Sequence, residues 1–179
     1  MHPPYRGWTE TPCNEMDGDT RVADVAPESA ALKDEQNFYV SWDADGLRLA
    51  WTGANWNRDG DLFIYLDTAS GGSPTAYNPS PTTISDTVYL PSYRVLTATY
   101  RLAADYLLWV RSADDASLMT WNGSQWVASV ASWEYVFEAN LPTPHTDLYV
   151  PFDALGIADP AGTSLSLVAF AAEENSLHL

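Results

Sequence analysis

Among 179 residues there is a single cysteine and, in Lys33, a single lysine. Cys13 has no partner, which excludes an internal disulfide and any cysteine-built zinc or iron–sulfur centre. Lys33 is one of only 8 basic residues set against 24 acidic ones, a formal charge of −16. Such a surface repels polyanions, so nucleic acid and anionic membranes are excluded as partners, while neutral ligands and cations are not. Histidine is also scarce: His2, His145 and His178 are the whole supply. With no Gly-x-Ser-x-Gly elbow and no His-Glu-x-x-His pair, nothing points to nucleophilic or zinc-dependent hydrolysis. No apolar run approaches the ~20 residues that cross a bilayer, so membrane insertion is not expected. The opening Met1-His2-Pro3-Pro4-Tyr5 lacks the charged and apolar regions of a signal peptide.

Helical periodicity is scarce too, and short alternating or continuous apolar runs recur between Gly, Pro, Asn and Asp clusters. With 46% apolar residues the chain has material for a core. Phe38, Val40 and Trp42 alternate with Tyr39 and Ser41, then Asp43-Ala44-Asp45-Gly46 turns the chain into Leu47, Leu49 and Trp51. Further strands are expected at Asp61–Asp67, Tyr106–Arg111, Leu118–Trp121, Gln125–Val130, Trp133–Ala139, Asp147–Phe152 and Ser164–Ala172. The runs Leu62–Leu66 and Leu165–Ala172 are apolar on both faces, as in central strands. Trp121-Asn122-Gly123-Ser124-Gln125-Trp126 reads as a second hairpin.

Helix is limited to single turns, at Pro27–Asp34 and at Phe152–Gly156, the latter with Asp153 as cap and Gly156 as stop. The fold class expected is an all-β, antiparallel two-sheet β-sandwich. Residues 1–16 read as an extension and 17–179 as one sandwich domain whose last strand, Ser176–Leu179, is cut short. The Gly-, Ser-, Thr- and Pro-rich stretch from Thr68 to Ser92 is long enough to be either functional or disordered.

Two constellations could carry chemistry. Asn55, Asn57, Asp59 and Asp61 place an oxygen-bearing side chain at every second position around Gly60, a pattern that suits the six to eight oxygens calcium prefers. Counted from Asn55, the twelfth position is Leu66 rather than a bidentate Glu, and an Asx-rich turn with no metal gives the same letters. Both readings stand. Asp17-Gly18-Asp19 is a shorter version.

The second is aromatic. Eight tryptophans and ten tyrosines exceed what a sandwich core requires. Strand parity assigns Trp42, Trp51 and Trp109 to packing, whereas Trp56, Tyr77, Trp121 and Trp126 fall in or beside turns. An exposed ring there can stack on the C–H face of a sugar while nearby polar groups bond its hydroxyls. No catalytic residue is expected. A glycosidase needs two carboxylates about 5–9.5 Å apart, but Glu134 and Glu138 alternate with Tyr135 and Phe137 as a solvent face would.

The order Phe38-Tyr39-Val40-Ser41-Trp42-Asp43, Asp45-Gly46-Leu47, then Asp59-Gly60-Asp61-Leu62-Phe63-Ile64-Tyr65-Leu66-Asp67, then Asp147-Leu148-Tyr149-Val150-Pro151-Phe152 resembles the DOMON-like β-sandwich superfamily. The resemblance runs from about Asp17 to the C-terminus and is nearest to carbohydrate-binding module family nine and the C-terminal module of glucodextranase-like proteins. It implies a non-catalytic, extracellular or cell-surface module of a larger multidomain protein, binding a neutral glycan, with calcium as a structural ion. The superfamily also holds haem-binding domains with Met and His ligands. Met119 and His145 are the internal candidates here; Met119 fits a core role, and haem is not expected. The competing reading is a structural or adhesive surface domain whose aromatics only pack.

Overall fold

The computed structural model describes residues 5–7, 36–79, 87–95 and 98–172. The strands are β1 (Tyr5–Gly7), β2 (Asn37–Trp42), β3 (Gly46–Thr52), β4 (Asp61–Asp67), β5 (Ser92–Val95), β6 (Ala98–Arg101), β7 (Tyr106–Ser112), β8 (Asp115–Trp121), β9 (Trp126–Ala128), β10 (Glu134–Glu138), β11 (His145–Pro151) and β12 (Ser166–Ala172). All pairings are antiparallel. Among the described residues the only helix is a 3-10 turn at Phe152–Leu155, and none is long and apolar enough to cross a membrane. The chain is therefore all-β, with the two-sheet content of an antiparallel sandwich. Asp17–Asp19, the turn expected at Pro27–Asp34 and the alternation at Ser176–Leu179 lie outside the described residues.

The chain divides into two compact units, each drawn from two separate stretches of sequence. The first takes the strands before Gly60 together with Ser132–Ala158, and holds the sheet ordered β1-β2-β3-β11-β10. Period-2 alternation gives this sheet an apolar face of Phe38, Leu47, Leu49, Leu148 and Val150, all buried. Arg48, Asp147, Glu134 and Glu138 occupy the other face and are exposed, as the alternation around Tyr135 and Phe137 predicts. In the β2–β3 turn, Asp43 Oδ1 accepts the N–H groups of Asp45 and Gly46. The Asp45 bond first, then the Arg48 guanidinium and the Gly46 bond, hold the Asp43 carboxyl below the usual carboxylate range.

Two expectations in this unit are corrected. Trp42 is 50% exposed rather than packed; it is the last residue of β2, beside the exposed Asp43, Ala44 and Asp45. The 3-10 turn exists and stops at Gly156 in the left-handed conformation (φ 65°), but Asp153 does not cap it. The chain enters directly from β11, so Pro151 holds the cap position and Asp153 falls inside the first turn.

The second unit takes Gly60–Ala131 and the residues from Asp159 onward. It holds the sheet ordered β12-β4-β7-β8-β9 and the separate β5–β6 hairpin. In β4, Leu62 to Leu66 are each at most 1% exposed, as a strand apolar on both faces predicts. β12 corrects the same expectation, because among the described strands it lies at the sheet edge and is mostly half-buried. Its apolar residues are used in packing on one neighbour: Phe170 stacks on Phe63 at 5.6 Å and on Tyr65 at 5.8 Å.

The described parts of the Thr68–Ser92 stretch are tied back to the sheet. Ser73 and Ala104 exchange two backbone bonds of 2.8 Å, Leu90 N–H donates to the Pro74 carbonyl, and Asp105 Oδ2 accepts the N–H groups of Thr68 and Ala69. Gly72 is obligatory here, since a Cβ would fall on the backbone of Ala103 and Ala104. The β5–β6 hairpin is not foreseen by the sequence, where no Gly, Asn or Asp marks the connection at positions 96 and 97.

Candidate functional site

Three of the four turn-side aromatics come together on one face of the second unit's sheet. Register puts Phe63 opposite Trp109, Tyr65 opposite Leu107, Leu107 opposite Met119 and Trp121 opposite Trp126. These side chains therefore share a face. Tyr77 meets Trp109 at 5.3 Å, Trp109 stacks on Phe63 at 5.7 Å, and Phe63 lies parallel to Tyr65 at 6.5 Å. Tyr65 then meets the edge of Trp126 at 5.8 Å, and Trp126 meets Trp121 at 5.6 Å. The interior of this chain is sealed, with Phe63 and Tyr65 at 1% and 0% exposure. Its ends, Tyr77 and Trp109 at one and Trp121 and Trp126 at the other, are half-buried.

Local chemistry holds each end. Tyr65 accepts the Tyr77 backbone N–H at 2.9 Å, and burial keeps its phenol protonated far above the ordinary range. Asn122 Oδ1 accepts the N–H groups of Ser124 and Gln125 in the loop between Trp121 and Trp126, and Gly123 supplies the positive φ of 95°. At the other end the Arg111 guanidinium lies 3.8 Å from the Trp109 ring. Its Nε and Nη2 clamp Asp115, and Nη2 also donates to Ser117 Oγ at 3.0 Å. The Arg111 clamp holds the Asp115 carboxyl below its usual range.

Trp56 is corrected. It is 3% exposed, and its indole N–H donates to Thr146 Oγ1 at 2.6 Å, so the ring is not available to a ligand. Its edge-on contact with Trp51, at 5.9 Å, makes it core. Residence in a turn suggested exposure, but the turn folds inward: Gly53 N–H donates to the Pro144 carbonyl at 2.8 Å.

Three of the four side chains of the calcium reading, those of Asn55, Asp59 and Asp61, have protein partners, and Asn57 is tied through its backbone N–H. Asn55 Oδ1 accepts the Asn57 N–H, Asp59 Oδ2 accepts the Asn55 N–H at 2.8 Å, and Arg58 lies 3.5 Å from Asp59 Oδ1. Asp61 is buried in β4 and accepts the Trp109 indole N–H at 2.8 Å. Among the described residues no group of three or more His, Cys, Asp and Glu side chains is arranged to hold a metal ion. Met119 packs in the core of the second unit, while His145 opens β11 in the first, 3.5 Å from Asp147.

Sequence reasoning missed a depression of about 360 Å³ on the polar face of the first unit's sheet. Ser41 and Ala50 are small there, and Tyr39, Tyr149, Glu134 and Asp147 stand around them. Arg48 lies 4.4 Å over the Tyr149 ring and is paired with Asp43. Desolvation, then the charges of Asp43 and Asp45, push the Tyr149 phenol up. Strand parity was the signal that could have found this set, since all of it lies on the face opposite Leu47 and Leu49.

No protein-family model, curated protein or solved structure matches the chain.

Proposed function

We propose that this protein is a non-catalytic, extracellular glycan-binding module, and that it holds a neutral oligosaccharide against the aromatic face of its second unit. The observation that carries the reading is the chain of ring contacts from Tyr77 to Trp121, sealed in the middle and half-open at both ends. Half-buried rings held by a rigid sheet offer apolar area without an ordering cost, and polar groups beside them can orient hydroxyls. Asp61 and Asp115 beside one end, and the overall charge of −16, act against acidic sugars.

Titration of the purified protein with malto-, cello- and xylo-oligosaccharides, followed by tryptophan fluorescence and calorimetry, tests this. Binding is expected with at least one series. Trp121→Ala should weaken it tenfold or more, while Trp42→Ala, on the first unit, should leave it unchanged. A folded protein whose fluorescence answers none of these sugars would return the reading to an adhesive or structural domain.

A further inference from the structure

The depression on the polar face of the first unit's sheet is built from two neighbouring rows of side chains. Register sets Tyr39, Ala50, Asp147 and Val136 side by side across β2, β3, β11 and β10, with Ser41, Arg48, Tyr149 and Glu134 in the next row. Ala50 and Ser41 are short beside the tyrosines, and that difference in height leaves the hollow of about 360 Å³. On its β10–β11 side four residues form a square. Asp147 and Glu134 stand at the ends of one diagonal, Val136 and Tyr149 at the ends of the other. Diagonal neighbours of an antiparallel pair are roughly 7–8 Å apart, so one short ligand can reach both carboxylates.

Charge in the hollow is not balanced. Arg48 is the only cation lining it among the described residues, and it is already engaged: Nε and Nη2 donate to Asp43 at 3.3 and 3.1 Å, while the guanidinium covers the Tyr149 ring. The Glu134 carboxylate has no hydrogen-bond or ion-pair partner among the described residues. Asp147 has only His145, 3.5 Å away, which carries charge only when protonated. Arg6 is placed opposite Tyr39 on β1, three strands from Asp147, about 14 Å at ordinary strand spacing. Two carboxylates therefore stand uncompensated around an apolar pair, of which Val136 is 52% exposed.

We propose that this hollow is a binding site for a short alkyl diamine in its doubly protonated form. One ammonium group meets each carboxylate, and the methylene chain between them crosses Val136 beside Tyr149. Desolvation, then the charges of Asp43 and Asp45, keep the Tyr149 phenol protonated, so it adds no third negative charge. Two positive charges match two negative ones, the apolar stem matches the apolar corners, and an anion finds no free cation to hold it. The site lies on the first unit and does not rest on the glycan reading.

Calorimetric and chemical-shift titrations at pH 8 with 1,4-diaminobutane, 1-butylamine and 1,4-butanediol test the assignment. The diamine should saturate at one per chain and bind about fivefold tighter than the monoamine, and the diol should not bind. Glu134→Gln and Asp147→Asn should each weaken the diamine about fivefold, the upper worth of one exposed ion pair. Asp114→Asn, the same charge change at the exposed β7–β8 turn of the second unit, should leave its affinity within twofold. Ala50→Leu should abolish binding by filling the floor; if that variant does not fold, the two acid-to-amide changes decide. The assignment is overturned if the parent shows no saturable diamine binding, or if the monoamine binds as tightly as the diamine. It is also overturned if Asp114→Asn weakens binding as much as Glu134→Gln, the mark of diffuse attraction to a chain of charge −16.

Discussion

The Trp56 indole N–H and the Thr146 hydroxyl are 2.6 Å apart, 90 residues apart in sequence, and both buried. The bond closes the Asn55–Asp59 turn onto β11 within the first unit. Thr146→Val keeps the shape and removes the acceptor, leaving a buried N–H unpaired, which costs about 1–3 kcal/mol. Denaturant unfolding should show that loss, and Trp56→Ala a larger one of about 3–5 kcal/mol from the cavity it leaves. Neither change should alter the glycan affinity of the protein that remains folded.

Asp67 sits beside Asp105, where burial first and the Asp105 charge second raise its carboxyl above the usual value, partly offset by the Ala103 N–H it accepts. A carboxyl whose folded pKa exceeds its unfolded one binds its proton more readily when folded, so its charged form opposes folding at neutral pH. That opposition fades as pH falls through the folded pKa. Asp67→Asn keeps an acceptor for Ala103 and removes the charge. Its melting temperature should therefore exceed the parent's at neutral pH, with the gain vanishing in acid below the carboxylate range.

Asp59 Oδ2 accepts the Asn55 N–H at 2.8 Å and closes the turn together with the Arg58 and Asp59 N–H groups, which both donate to the Asn55 carbonyl. Asp59→Ala should cost about 1 kcal/mol, or 2–4 °C in Tm for a chain of this size. Because the bond is internal, the loss should be the same with calcium as with chelator. A loss seen only with calcium would put an ion in the loop.

Most strands were legible because alternation is a property of neighbouring residues. Leu62 to Leu66 had to be covered on both sides, and Phe38, Leu47 and Leu49 had to face one way. Trp121 and Trp126 were readable as a pair from the Asn-Gly turn between them. Arg111 was not legible, since nothing in Val110-Arg111-Ser112 tells that its guanidinium will lie on Trp109 and clamp Asp115. Leu165–Ala172 misled, because an edge strand packed on one apolar neighbour reads like a central one.

The sequence by itself determined an all-β chain, which side of most strands is apolar, and a charge that turns away polyanions. Those follow from side-chain period and composition, which need no long-range contact. Only the tertiary structure decided which rings are buried. Trp56 and Trp121 both flank turns of Asn and Gly or Asp, but one turn folds inward to a hydroxyl 90 residues away and the other caps a hairpin in solvent. That difference lies in the register and path of distant strands, which no local pattern encodes.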